Sequence, residues 1–196
     1  MYFYTLVFNF MNIITAFKRN NIVHKLNLCL LILISLAATN ASLLLWKDNY
    51  VLTKNDFKGK IEKNSKFQAN TSTSIKIRIS IDDTVKTTVM AYFDKQKSWI
   101  KPETPDKVLE HERLHFAITE IYAREIRSKI NEIKVNNNEP KTQKIQITYA
   151  YQNLVKKMAE EQALYDLETQ HSINEVKQLR WKNKINKRLF SLINSK

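Results

Sequence analysis

The sequence predicts an α+β domain in which an antiparallel sheet comes first and long helices follow. Isoleucines alternate with polar residues over 74–81, and a second alternating segment, 85–93, follows an Asp82-Asp83 turn. This period of two indicates a hairpin with one buried face. Apolar residues then recur at helical spacing from about 105 to 133. Strands followed by helices are typical of the α+β class.

The composition favours long, regular elements. The chain of 196 residues contains one glycine and three prolines, so residues that end helices and strands are scarce. Thr104-Pro105-Asp106 is a typical helix start, with a hydroxyl cap, a proline and an acid in the first turn. The segment 136–140 predicts a loop, and a last helical region is expected over about 149–192, in one or two pieces.

Residues 1–41 are predicted to form a signal peptide, which leaves 42–196 as a single exported domain, periplasmic or secreted. An apolar run, 26–38, lies between basic residues and a small-residue exit that ends at Ala41. The run has about 13 residues, whereas a helix needs roughly 20 to span a bilayer, so cleavage is favoured over anchoring. Because the first ten residues are also apolar, two alternatives stay open: translation from Met11, or an uncleaved membrane-anchored form.

Charge and cysteine content exclude several functional classes. The net charge is +13, but the basic residues are dispersed and form no long tract, so we expect no specific nucleic-acid partner. The sole cysteine, Cys29, lies in the predicted signal peptide. The mature domain therefore has no disulfide, no catalytic thiolate and no thiolate metal ligand.

The segment His111-Glu112-Arg113-Leu114-His115 carries the chemistry. Histidines four residues apart project from one face of a helix, where both can bind a single Zn²⁺. Glu112 is then placed to act as general base on a water held in an open coordination position. Ile118 and Ile121 occupy the places where a metzincin has a glycine and a third histidine, so that subclass is excluded.

The third zinc ligand is either His171 or a carboxylate from the later helical region. We expect His171, because imidazole is a good zinc ligand and no other histidine remains after the signal peptide. Glu168, Glu175 and Asp166 are candidate partners for the second ring nitrogen of His171. The carboxylates that compete for the ligand position are Glu160, Glu161, Asp166 and Glu168.

Tyr165 is a candidate catalytic residue. Its hydroxyl is expected to donate a hydrogen bond to the oxyanion that develops during acyl transfer. The competing interpretation is a half-buried tyrosine of the core.

The histidine motif and several later segments together resemble the DUF922 family, whose members are bacterial proteins described as predicted secreted zinc-dependent proteases. The resemblance covers roughly residues 46–190 and implies a zincin-like fold and an export route. It also supports His171, which lies in a recurrent Thr-x-His segment, whereas Ser172 stands where glycine is more usual. The segments that carry it are His111–Phe116, Glu120–Arg124, Tyr165–Thr169 with His171, Gln178 with Trp181, Leu52–Gly59 and Ser98-Trp99.

The leading functional prediction is an exported zinc-dependent metallohydrolase, and specifically a peptidase with a peptide or protein substrate. Two alternatives remain open. One is amide hydrolysis in cell-wall material, which a basic exported protein would approach electrostatically. The other is a non-catalytic envelope module with a structural zinc, closed by four protein ligands. In the peptidase case, an extended substrate is expected along one of the strands between Ser74 and Phe93.

Overall fold

The computed structural model describes residues 42–137 and 139–193. The predicted signal peptide, 1–41, and the choice between Met1 and Met11 as the start lie outside these residues, so both stay predictions. Within the described part of the chain, no helix is both long and apolar enough to cross a membrane.

The strands form two small antiparallel sheets. The strand bounds are β1 Leu43–Leu45, β2 Ala69–Asn70, β3 Thr73–Ile81, β4 Val85–Asp94 and β5 Trp99–Ile100. In the first sheet, β4 lies between β1 and β3; in the second, β2 pairs with β5. The hairpin of β3 and β4 runs in register from Thr73 opposite Phe93 to Ile81 opposite Val85.

The predicted hairpin is confirmed almost residue for residue. The predicted inward isoleucines are buried unequally: Ile75 is 5% exposed, Ile77 and Ile79 pack at the margin of the core, and Ile81 is 39% exposed. Ile81 is the last residue before the hairpin turn. Alternation thus identifies the inward face, but the depth of burial depends on how far the helices extend along it.

Three helices follow: α1 Asp106–Asn136, α2 Pro140–Thr169 and α3 Glu175–Ile193. The first agrees with its predicted span, although Thr104 does not cap it and donates its hydroxyl to backbone carbonyls instead. The predicted 149 start of the next helix is wrong, because α2 already begins at Pro140. Proline is well suited to the first helical position, and the Glu139 side chain accepts from the free backbone N–H of Lys141 at 2.9 Å.

The helix α1 is the centre of the core and packs against the larger sheet, α2 and α3. Four of its isoleucines are at most 2% exposed: Ile118, Ile121, Ile126 and Ile130. Ile147 of α2 and Ile185 of α3 are fully buried against the same core. Arg188 of α3 joins all three helices, since it pairs with Glu161 of α2 at 2.7 Å and with Glu125 of α1 at 2.8 Å.

Candidate metal centre

His111 and His115 lie one turn apart on the face of α1 that packs against α2. They are 1% and 7% exposed, and their ring centroids are 5.0 Å apart. Side chains four residues apart on a helix lie one above the other, which is why both imidazoles reach the same point. The structure therefore brings the two predicted histidine ligands together.

The third group at this point is Asp166 of α2. Its Oδ1 lies 3.0 Å from Nε2 of His111 and 2.9 Å from Nε2 of His115. The ligand atoms of His111, His115 and Asp166 all lie within 4.8 Å of one another. In a tetrahedral site with bonds of about 2.0–2.1 Å, ligand atoms stand roughly 3.3 Å apart, so this set fits a zinc ion after small adjustments.

The protonation equilibria reflect the close contact among these groups. Burial disfavours the charged form of Asp166, but hydrogen bonds to His111 and His115 outweigh it and hold the pKa of the carboxyl well below its usual range. Burial also disfavours a charged His115, but the hydrogen bond and charge of Asp166 raise the pKa of that imidazole. A cation at the centre of the site, whether a proton or a metal ion, is therefore electrostatically favoured.

His171 lies beside this set rather than within it. Its Nδ1 is 3.4 Å from Asp166 Oδ1, its side chain is 46% exposed, and its ring packs on Phe67 with centroids 4.4 Å apart. The prediction that His171 is the third ligand is therefore not confirmed, and Asp166, one of the predicted carboxylate alternatives, occupies that place. The remaining alternatives pair elsewhere: Glu160 with Lys156, Glu161 with Lys184 and Arg188, and Glu168 with Lys177 and Trp181.

The turn that carries His171 has an unusual backbone. Gln170, His171 and Ser172 have φ angles of 49°, 52° and 76°, all in the left-handed region. Such conformations cost non-glycine residues about 1–3 kcal/mol each and persist only where the surroundings impose them. At Ser172 this gives a physical reason for a glycine preference, because the residue combines the largest of these φ angles with a side chain only 2% exposed.

Glu112 stands at the edge of the metal centre. Its side chain is 6% exposed and lines the adjoining cleft. No described residue donates a hydrogen bond to its carboxylate or forms an ion pair with it, although its charge helps to raise the pKa of His115. A nearly buried carboxylate without a protein partner is free to accept a proton from a water molecule or a substrate.

The cleft beside Glu112 has a volume of about 930 Å³. The segment 66–69, which leads into β2, and the apolar residues Leu167 and Ile173 all line this cleft. No residue of the β3–β4 hairpin lines this cleft, so the strand that borders it is the short β2 rather than one of the two that the sequence indicated. The residues that line it are Lys66, Phe67, Gln68, Ala69, Glu103, Pro105, Lys107, Val108, Glu112, Asp166, Leu167, Gln170, His171, Ser172 and Ile173.

Tyr165 is part of the core and does not line the cleft. Its side chain is fully buried and stacks on His111, with ring centroids 4.4 Å apart. Its hydroxyl accepts from Gln178 at 2.7 Å and donates to the His111 carbonyl at 3.3 Å. Burial also raises the pKa of its hydroxyl far above the usual range. This placement does not support the predicted role as an oxyanion donor, because the hydroxyl is already committed to protein partners.

Two glutamines contact the outer nitrogens of the motif histidines. Nδ1 of His111 lies 3.0 Å from Gln178 Oε1, and Nδ1 of His115 lies 3.2 Å from Gln162 Oε1. Glu168 and Glu175, predicted as candidate partners of His171, instead accept from Trp181 and Lys107. From the sequence Gln178 had no assigned role, and Gln162 was not among the candidate residues.

The model of a bacterial protein family of unknown function, DUF922, matches residues 51–172. This match covers most of the chain and includes His111, Glu112, His115, Asp166 and His171. No curated protein and no solved structure matches the chain.

Proposed function

We propose that this chain, which belongs to the DUF922 family, is a zinc-dependent hydrolase that cleaves peptide bonds. One observation carries the proposal. Two imidazole nitrogens and one carboxylate oxygen converge beside an unpartnered Glu112 at the wall of an open cleft. Three protein ligands and an accessible fourth position are typical of catalytic rather than structural zinc sites. A zincin-like fold and export from the cytoplasm belong to the same proposal.

A bound zinc ion would lower the pKa of a coordinated water and polarise the carbonyl of the substrate. His111, His115 and Asp166 would hold the ion, and the burial of the two histidines would keep bulk water from its inner side. Glu112 would accept the proton of the attacking water and deliver it to the leaving nitrogen. Its lack of a competing hydrogen bond within the described structure supports this role.

The cleft supports a peptide as substrate. Leu167 and Ile173 are 73% and 72% exposed although both are large and apolar, so the cleft offers contacts for apolar side chains. The segment 66–69 and Glu112 line the same cleft, so an extended chain bound beside β2 would have access to Glu112. Cleavage of a peptide with bulky apolar residues beside the scissile bond is therefore the expected activity.

Replacement of Glu112 by Gln tests the mechanism. The amide cannot accept the proton of water, so we expect the rate of peptide hydrolysis to fall by about 10²–10⁴-fold. Zinc affinity should change little, because Glu112 is not one of the proposed ligands. The measurements are cleavage of an unfolded protein substrate and zinc titration against a chromogenic chelator.

The matched control is Glu103→Gln, the same substitution at an exposed acid of the same cleft, which should retain activity. Full activity of Glu112→Gln would contradict the mechanism. A wild-type protein that cleaves purified peptidoglycan but no peptide or protein would favour the cell-wall alternative. A zinc-loaded protein with four protein ligands and no hydrolytic activity would favour a structural metal site.

A further inference from the structure

We propose that Gln162 and Gln178 are positioning residues that fix the ring protons of the two motif histidines on Nδ1 and so prepare both Nε2 atoms to bind the metal. The inference rests on the proposed metal site, which it deepens. It concerns residues that contact neither the cleft nor the metal position: Gln178 is 8% exposed and lies behind His111, and Gln162 lies behind His115.

The orientation of the Gln178 amide follows from its other contact. Its Nε2 donates to the Tyr165 hydroxyl at 2.7 Å, and that hydroxyl donates a hydrogen bond to the His111 carbonyl at 3.3 Å. The amide oxygen is thereby turned to His111, 3.0 Å from Nδ1. An amide oxygen can only accept, so Nδ1 carries the proton.

Gln162 repeats this arrangement at the second histidine. Its Nε2 donates to the Thr119 hydroxyl at 3.1 Å, and that hydroxyl lies 3.0 Å from the His115 carbonyl, to which it can donate. The amide oxygen faces His115 Nδ1 at 3.2 Å. In both cases a hydroxyl that accepts from the glutamine lies within hydrogen-bond distance of the backbone carbonyl of the histidine. The Thr119 hydroxyl also lies 2.7 Å from that of Thr73.

A proton fixed on Nδ1 determines what the Nε2 atom of each ring presents to Asp166. With Nδ1 protonated, each neutral imidazole directs the lone pair of Nε2 at Asp166 Oδ1. In the metal-free protein a second ring proton on Nε2 can hydrogen-bond to Asp166, and a metal ion would take the place of that proton while Nδ1 keeps its own. Because the outer partners are neutral amides, Asp166 is the charged ligand of the cluster.

Two substitutions of Gln178 separate this role from a structural one. Gln178→Met and Gln178→Glu both remove the N–H that donates to Tyr165, but only glutamate keeps an oxygen acceptor for Nδ1 of His111. We expect Gln178→Met to weaken zinc binding by about 10–100-fold. Gln178→Glu should bind zinc at least as tightly as the wild-type protein. Zinc affinity is measured by competition with a chelator, and the absorption spectrum of bound Co²⁺ reports the ligand geometry.

Gln162→Met and Gln162→Glu provide an independent test if a Gln178 variant fails to fold. The same two substitutions at Gln152, which is exposed on the same helix as Gln162, provide the matched control. Circular dichroism of the metal-free variants checks the fold. If the Met and Glu variants lost zinc affinity equally, or the Met variants lost none, the inference on the glutamines would be overturned. The proposed zinc site itself would still stand. A wild-type protein that binds no zinc would overturn both this inference and the proposed function. Loss of affinity confined to the Met variants would support it, even if no peptide substrate were cleaved.

Discussion

At the scale of single residues, the structure favours Asp166 over His171 as the third ligand, and the residue spacing on α2 agrees with this. Met158, Gln162 and Asp166 are spaced by four residues on α2, so they lie along one face. Gln162 and Asp166 both contact His115 across the helix pair. The sequence supplied a list of acids, but the rotation of α2 about its axis decides which one faces α1.

Paired substitutions distinguish these two ligands. Asp166→Asn removes the charged oxygen between the two imidazoles, and we expect zinc affinity to fall by at least about 100-fold, the upper end of the effect of an outer-contact residue. His171→Asn should weaken zinc binding by less than about 10-fold, because that ring stands outside the ligand set. Chelator competition on both variants provides the measurement. If His171→Asn lost more affinity than Asp166→Asn, the original prediction of a third histidine ligand would be restored.

At the scale of elements, the long periodic segments were predictable and the short ones were not. The hairpin and α1 have many residues with one clear period, and their predicted bounds agree with the structure within a few residues. Strands β2 and β5 have two residues each, too few to show any period, yet β2 forms the rim of the cleft. Because β2 is so short and its partner β5 is remote in sequence, no local sequence pattern predicts the strand beside the site.

The sole glycine joins a loop to the turn after β4. The backbone N–H of Gly59 donates to the Ser98 carbonyl at 2.7 Å. A Cβ at this position would lie 2.7 Å from the carbonyl oxygen of Ser98 and 2.8 Å from that of Gln96. Close approach of backbone to backbone, and not a left-handed conformation, is what requires glycine here.

We therefore expect Gly59→Ala to lower the free energy of unfolding by about 1–3 kcal/mol, as is usual for an overpacked site. Urea denaturation followed by circular dichroism measures the change. The neighbouring exposed Lys60 provides the control, because Lys60→Ala should stay within about 0.5 kcal/mol of the wild-type protein. Equal stability of Gly59→Ala and wild type would show that the turn can move away from the new methyl group.

At the scale of the whole molecule, the proposed metal would link α1 to α2. Its ligands come from both helices, and the outer partner of His111 comes from α3. Since this ligand set does not persist in an unfolded chain, zinc binding should stabilise the folded state. Charge supports the same coupling, because burial disfavours the ionised form of Asp166, whereas the contacts with His111 and His115, and a bound metal ion, would favour it.

Metal removal tests this coupling. At a free zinc concentration of about 1,000 times Kd, binding should add roughly 4 kcal/mol to the free energy of unfolding. Thermal unfolding with and without a chelator measures the effect, which should be much smaller in Asp166→Asn. Identical melting temperatures for zinc-loaded and chelated wild-type protein would contradict the link between metal and fold.

The most direct test is anomalous diffraction at the zinc edge from crystals of the zinc-loaded protein. We expect one zinc ion per chain, about 2.0–2.1 Å from Nε2 of His111 and His115 and about 2.0–2.2 Å from an Asp166 oxygen. The fourth position should face the cleft beside Glu112. A peak elsewhere in the molecule, or none at full zinc loading, would contradict the assignment of this cluster as the metal centre.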